Sequence, residues 1–164
     1  MTRRPADGAA ADRIGRAYDR FAGPLYRYAL MILADHAAAA DAVHEVFTSW
    51  LGVAGPAPDD EERYLRRAVR NACYSALRQR RPNVVSADAA PLLEAVAADR
   101  ERPEERIAVE EAMRMLPAEQ REVVHLKVFE GWTFQEIADV GGNSINTVAS
   151  RYRYAMDTMR ERLS

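Results

Sequence analysis

The chain has 164 residues, 48% of them hydrophobic, enough for one ordinary domain or two small ones with real cores. No stretch approaches the roughly 18 consecutive apolar residues of a membrane span, and the N-terminus MTRRPADGAAADR has no apolar run to act as a secretory signal. A cytoplasmic protein without membrane insertion is therefore expected. The net charge of -2 argues on average against a polyanion partner, but the charge is segregated: Arg63, Arg66, Arg67, Arg70, Arg78, Arg80 and Arg81 come with no acid among them, while Asp88 to Glu119 is rich in Asp and Glu.

Apolar residues recur at helical spacing and no convincing alternating strand appears, so the expected fold is all-α. After a tail of residues 1–11, Asp12 is placed to cap a first helix carrying Ile14, Ala17, Tyr18 and Phe21, which ends near Gly23-Pro24; a second begins near Leu25. Asp35 caps a third, with Ala39, Val43, Val46, Phe47, Trp50 and Leu51 on one stripe, and Gly52 to Pro58 breaks the chain. A fourth helix, Glu61 to Arg80, completes a first domain over residues 12–81.

That fourth helix has two faces. Leu65, Ala68, Val69, Ala72, Cys73 and Ala76 fall on one side, and Arg63, Arg67, Arg70, Tyr74, Arg78 and Arg81 fall within about 80° of arc on the other. Such a stripe can hold a phosphate backbone on its arginines and stack an unpaired base on the tyrosine ring. A solvated face is the ordinary alternative, but ordinary faces mix signs, and the absence of acids for i,i+4 pairs points to a polyanion. Cys73, the single cysteine, cannot form an internal disulfide and has no Cys or His neighbours at zinc-ligand spacing; it reads as a small core residue.

Residues 82–102 have no sustained period and read as a linker, with a short helical turn around Leu92 to Ala97. Pro103 and Pro117 suit first helical turns and place helices at Pro103 to Met115 and Pro117 to Glu130, the latter ended by Gly131. Thr133 and Glu136 then make a capping box, Phe134, Ile137 and Ala138 one side of a short helix, and Gly141-Gly142 a sharp turn. Ser144 caps a last helix whose buried side is Val148, Tyr152, Ala155, Met156, Met159 and Leu163. Residues 103–164 thus form a second domain containing a helix-turn-helix of DNA-binding size. Asn146, Thr147, Ser150 and Arg151, with Arg153 and Tyr154 further on, lie on its exposed side; Asn and Arg read adenine and guanine edges, and Ser and Thr hold phosphates.

No catalytic centre is expected. His36, His44 and His125 lack metalloprotease spacing and no glycine-rich phosphate loop is present, so neither enzyme activity, nor a metal, nor a cofactor is foreseen.

These segments resemble the extracytoplasmic-function group of bacterial sigma factors. DHAAAADAVHEVFTSW, from Asp35 to Trp50, is similar to that family's polymerase-binding helix, and RYLRRAVRNACYSALRQRR to its promoter-melting helix. LPAEQREVVHLKVFEGWTFQEIADVGGNSINTVASRYRYAM looks like its upstream-promoter-binding domain. The resemblance implies that Asp41, Val43, His44, Glu45 and Phe47 dock on core RNA polymerase. It implies that Arg63, Tyr64, Arg67, Arg70, Asn71, Tyr74 and Arg78 face the minus-ten element of promoter DNA, and that Ser144, Asn146, Thr147, Ser150, Arg151 and Arg153 face the minus-thirty-five element. It further implies strand opening by capture of an unstacked base, a linker threaded along the polymerase, and an anti-sigma protein among the partners. For Val43 and Phe47 the helical spacing alone favours core packing. Ala40 stands where the family commonly has an acid, His44 where it has glutamine, Tyr64 tryptophan, Gly141 leucine and Ile145 proline. A stand-alone helix-turn-helix regulator, or a sigma-like protein that occupies polymerase without initiating, are the alternatives; the first leaves the arginine stripe unexplained. With the chain stopping at Ser164, no further C-terminal domain is expected.

Overall fold

The computed structural model describes residues 5–52, 59–80, 92 and 102–164, with side-chain surroundings from residue 8 onward. It is helical, with no strand among the described residues. The elements are α1 (Pro5–Leu33), α2 (His36–Leu51), α3 (Glu61–Gln79), α4 (Pro103–Met115), α5 (Ala118–Val124) continued by a π-helical turn (His125–Phe129), α6 (Phe134–Gly141) and α7 (Ile145–Leu163). No helix among the described residues is long and apolar enough to cross a membrane.

The two helices expected on either side of Gly23-Pro24 are one. α1 runs from Pro5 through Pro24 to Leu33, taking in residues 5–11 of the expected tail, and Asp12 is internal to it. An internal proline forfeits a backbone hydrogen bond and crowds the preceding turn, at a cost of about 3 kcal/mol. Here the same buried row continues on both sides of it, Ile14 and Ala17 before, Leu25, Tyr28, Ala29 and Ile32 after. Keeping those side chains in one core, at roughly 1.5–3 kcal/mol for each large one, outweighs the proline.

Capping follows the sequence closely elsewhere. The Asp35 carboxylate accepts from the Ala38 N–H at 2.9 Å and opens α2; Asp60 does the same for Arg63 at 3.0 Å and opens α3. Between α1 and α2, Ala34 takes a left-handed turn with φ 53°. α2 buries Ala39, Ala42, Val43, Val46, Phe47 and Trp50 against α1 and α3. Tyr18 meets the Phe47 ring edge-on at 5.1 Å.

In the second half α5 and α7 pack together, with α4 and α6 against α7. α6 carries the capping box: Thr133 Oγ1 accepts from the Glu136 N–H at 3.1 Å, and Glu136 accepts from the Thr133 N–H at 2.8 Å. It ends at Gly142, whose φ of 65° supplies the left-handed turn into α7. Of the linker, only Leu92 and Arg102 are described; Leu92 is buried and its N–H donates to Glu110 of α4, while Arg102 is exposed at the start of α4. The remainder of residues 82–101, including the expected turn, lies outside the described residues.

The halves share one core. α5 lies against α1 and α6 against α3, and the buried cluster runs through both. The last turns of α1, Tyr28 to Leu33, are accordingly buried on every side.

Candidate nucleic-acid interface

Arg63, Arg67, Arg70, Tyr74 and Arg78 lie on α3 where the periodicity placed them, Arg81 lies outside the described residues, and the second half of the chain answers part of the row with carboxylates. Arg70 donates through Nε to Glu122 Oε1 at 2.7 Å and through Nη2 to Oε2 at 3.3 Å. The Tyr28 hydroxyl also donates to Oε1, and the Tyr74 hydroxyl to Oε2 at 2.5 Å. Each Glu122 oxygen thus accepts two hydrogen bonds, so that a carboxyl group only 4% exposed has both oxygens satisfied in the interior.

One turn earlier on α3, Arg66 grips Glu130 with both terminal nitrogens, at 3.0 and 2.7 Å. Its guanidinium lies 4.7 Å from the Tyr28 ring centre and 5.1 Å from that of Trp132. His125 completes the Glu130 site at 2.9 Å. In an unbroken α-helix Glu122 and Glu130 would lie about 80° apart. The π-helical turn between them takes up one extra residue and brings them within roughly 20°, so that both face α3.

Electrostatics follow the geometry. Burial opposes the charge on Glu130, but the hydrogen bond from His125 and the charge of Arg66 prevail and hold it below the usual carboxylate range. Burial disfavours the Arg70 cation, yet Glu122 more than compensates and raises it. Burial first, and Glu122 second, push Tyr28 and Tyr74 well up and the Cys73 thiol up to about 12.

A third cross-contact is Arg121 of α5. Buried, and drawn down to about 10 by that burial, it donates to the main-chain carbonyls of Met31, of Ile32 at 2.8 Å and of Leu116 at 3.0 Å. It thereby satisfies carbonyls that the end of α1 leaves without helical partners. Arg80 serves Leu33 in the same way at 3.1 Å.

The residues implied for the minus-ten element therefore divide. Arg63, Tyr64, Arg67, Asn71 and Arg78 are exposed, Arg63 lying 3.4 Å from Asp60 and Arg67 donating to the Asp139 carbonyl at 2.8 Å. Arg70 and Tyr74 do not form the open face expected of them; they are engaged by Glu122. Arg66, counted among the bases but in no site, is the most buried arginine among the described residues, 1% exposed. Around α3 it sits between Cys73 and Arg70, and a charge bordering the apolar face was a legible sign of a specific partner.

The upstream set is open. Ser144, Asn146, Thr147 and Arg153 are exposed at and beyond the start of α7, with Ser150 and Arg151 half-buried. Ser144 Oγ accepts from the Thr147 N–H at 3.1 Å, so its first role is to cap the helix. On α2, Asp41, His44 and Glu45 face outward, whereas Val43 and Phe47 are 5% exposed and belong to the core.

Residues 17–82 match the family described as Sigma-70 region 2, and residues 106–159 that described as Sigma-70, region 4. ECF RNA polymerase sigma factor SigL of Mycobacterium tuberculosis is 32% identical over 98% of this chain and 94% of its own. The probable RNA polymerase sigma factor RfaY of Xanthomonas campestris is 34% identical over 82% of this chain and 36% of its own. Among solved structures, sigma factor RpoE of Bartonella quintana, crystallised with the anti-sigma factor NepR, shares the fold with a TM-score of 0.71 at 22% identity, over 91% of this chain and 95% of that one. The arginine-lined α3 and the glycine-turned helix pair α6–α7 thus occupy regions 2 and 4, and the chain belongs to the ECF family of RNA polymerase sigma factors, non-enzymatic proteins that direct the polymerase to promoters and start transcription.

Proposed function

We propose that the two promoter elements are read by separate halves of this sigma factor. α3 takes the minus-ten strand through Arg63, Tyr64, Arg67, Arg70, Asn71, Tyr74 and Arg78. α7 takes the minus-thirty-five duplex through Asn146, Thr147, Ser150, Arg151 and Arg153, with Ser144 holding the helix start. Asp41, His44 and Glu45 on the outer side of α2 dock on core polymerase. The first half takes in all of α1 and runs over residues 5–81, the second over 103–164, and residues 82–102 join them.

The observation that supports this most directly is the pair of exposed side chains Asn146 and Thr147 in the first turn of α7, with half-buried Arg151 and exposed Arg153 further along, shortly after a left-handed glycine turn. That is the geometry by which a recognition helix presents side chains to the major groove, where a good bidentate base contact contributes about 1–3 kcal/mol of discrimination. The place of action is the cytoplasm, where core polymerase and DNA are. An anti-sigma protein is proposed as a further partner on the strength of RpoE, which was solved with NepR.

The test is transcription from genomic DNA by core polymerase loaded with the chain. Defined start sites are expected. Asn146→Ala/Arg151→Ala should lose starts that depend on the upstream element, and Arg67→Ala/Asn71→Ala should lose strand opening while retaining polymerase binding. Binding of core polymerase with no starts on any template would favour an occupying inhibitor; duplex binding without polymerase would favour a stand-alone regulator.

A further inference from the structure

The α3 face that would meet the minus-ten strand is closed in part by the chain itself: Arg70 and Tyr74 are engaged, while Arg63, Tyr64, Arg67, Asn71 and Arg78 stay exposed. Its two inner guanidinium groups are each held in a two-point grip by a carboxylate, the arrangement that a phosphate also takes with arginine. Glu122 and Glu130 come from region 4, 52 and 64 residues away from their partners. Tyr74, the ring available for stacking, spends its hydroxyl on Glu122. Region 4 also covers the end of α1 through Arg121.

We propose that the free sigma factor is latched shut by its own region 4, with Glu122 and Glu130 standing in for nucleic-acid phosphates on Arg70 and Arg66, so that these two inner guanidinium groups and the Tyr74 ring reach DNA only after the two regions separate. Three features of this chain converge on the latch. The π-helical turn aligns the two carboxylates, which an unbroken helix would splay. Each Glu122 oxygen is doubly bonded from region 2, so the contact is a built site and not a grazing one. And Gly141, at the end of α6, leaves room for Arg70: a Cβ built there would come within 3.4 Å of Arg70 Cζ and 2.6 Å of Asn143 Nδ2. A larger side chain at 141 would press on the guanidinium just where it turns toward Glu122.

A carboxylate and a phosphate cannot hold the same guanidinium fork together, so the latch and the DNA strand compete. Closure stands on the intramolecular contacts alone; masking of DNA rests in addition on the assignment of α3 to the minus-ten strand. The experiment separates the two. X-ray scattering of the full chain in dilute solution should give a radius of gyration of about 15 Å, the value for a compact body of this length. Glu122→Gln/Glu130→Gln and, separately, Gly141→Leu should raise it by several ångströms, with helix content unchanged by circular dichroism. Both variants should bind a fluorescent single-stranded promoter oligonucleotide on the order of tenfold more tightly in the absence of polymerase, the usual size of a coupling between two states. Glu104→Gln/Glu105→Gln, which makes the same charge change on the exposed start of α4, should do neither, and Gly141→Leu changes no charge at all. A wild-type chain already expanded, or variants as compact as wild type, would overturn the latch. Expansion without tighter binding would overturn the masking and place the fault in the assignment of α3.

Discussion

Replacing Arg66 by alanine should destabilise the whole chain far more than removing any other arginine of α3. The side chain is 1% exposed, holds Glu130 by two hydrogen bonds and lies between the rings of Tyr28 and Trp132. Stripping one partner from a buried ion pair costs about 3–5 kcal/mol, because the other charge is left behind; two ring faces add about 1 kcal/mol each. Glu130 is 18% exposed, so water reaches the abandoned carboxylate and His125 still holds it, which draws the total toward about 4 kcal/mol. For a chain of this length that is a fall in Tm of about 10 °C, read by circular dichroism on heating. Arg66→Met/Glu130→Leu should recover most of it, since a packed apolar pair replaces a buried ionic one at little loss. A fall of less than about 2 °C for Arg66→Ala would refute the reasoning, since it would mean that region 4 does not bury this side chain in solution.

Acid should act on the same contact. Because the Glu130 carboxyl is held below its ordinary value of 4.5, its stabilisation is complete above that pH and is lost as the pH falls below it through the depressed value; Tm measured against pH should show this decline, and Glu130→Gln should remove its share of it. On α2, Phe47→Ala should cost about 3–5 kcal/mol in urea unfolding as a core deletion, whereas Asp41→Ala and His44→Ala should stay within about 0.5 kcal/mol of wild type and weaken only the capture of core polymerase in pull-down. Ser144→Ala should lower stability by about 1 kcal/mol through loss of the α7 cap, and Ser144→Asp should restore it; the same pair followed by promoter-binding titration separates capping from DNA contact.

What could be read from the sequence was local. Ser144, Thr133, Asp35 and Asp60 cap helices within three residues of themselves, and the α4 boundaries and the Gly142 turn follow from proline and glycine in the same way. The arginine row of α3 was legible because 3.6-residue periodicity alone sorts its faces. The partners of that row were not, because Glu122 and Glu130 are far along the chain and are aligned by a π-helical turn that no local pattern announces. The scarcity of acids along the arginine row of α3, where Arg66 has Glu62 at i,i+4 but Arg67, Arg70 and Arg78 have none, was read as pointing to a polyanion; in the closed chain Arg66 and Arg70 meet carboxylates of region 4. Two signs did point there: Arg66 beside the apolar face, and the run Tyr28 to Leu33, apolar all round the helix and so needing cover on more than one side. Pro24 misled because local cost was weighed without the core on both sides of it.

The cap that Arg121 places on α1 ties region 4 to the corner where α2 begins. Met31 and Ile32 lend their carbonyls to Arg121, Leu33 to Arg80, and after Ala34 the chain enters α2 at Asp35. When the regions part, the first two carbonyls must turn to water, and the last turn of α1 becomes free to fray. Thermodynamic linkage makes the coupling work equally in reverse: a ligand on α1 or α2 that favours the frayed corner weakens the hold of region 4 by the factor by which opening strengthens that ligand. A grip on one end of the molecule is thereby felt as slack at the other.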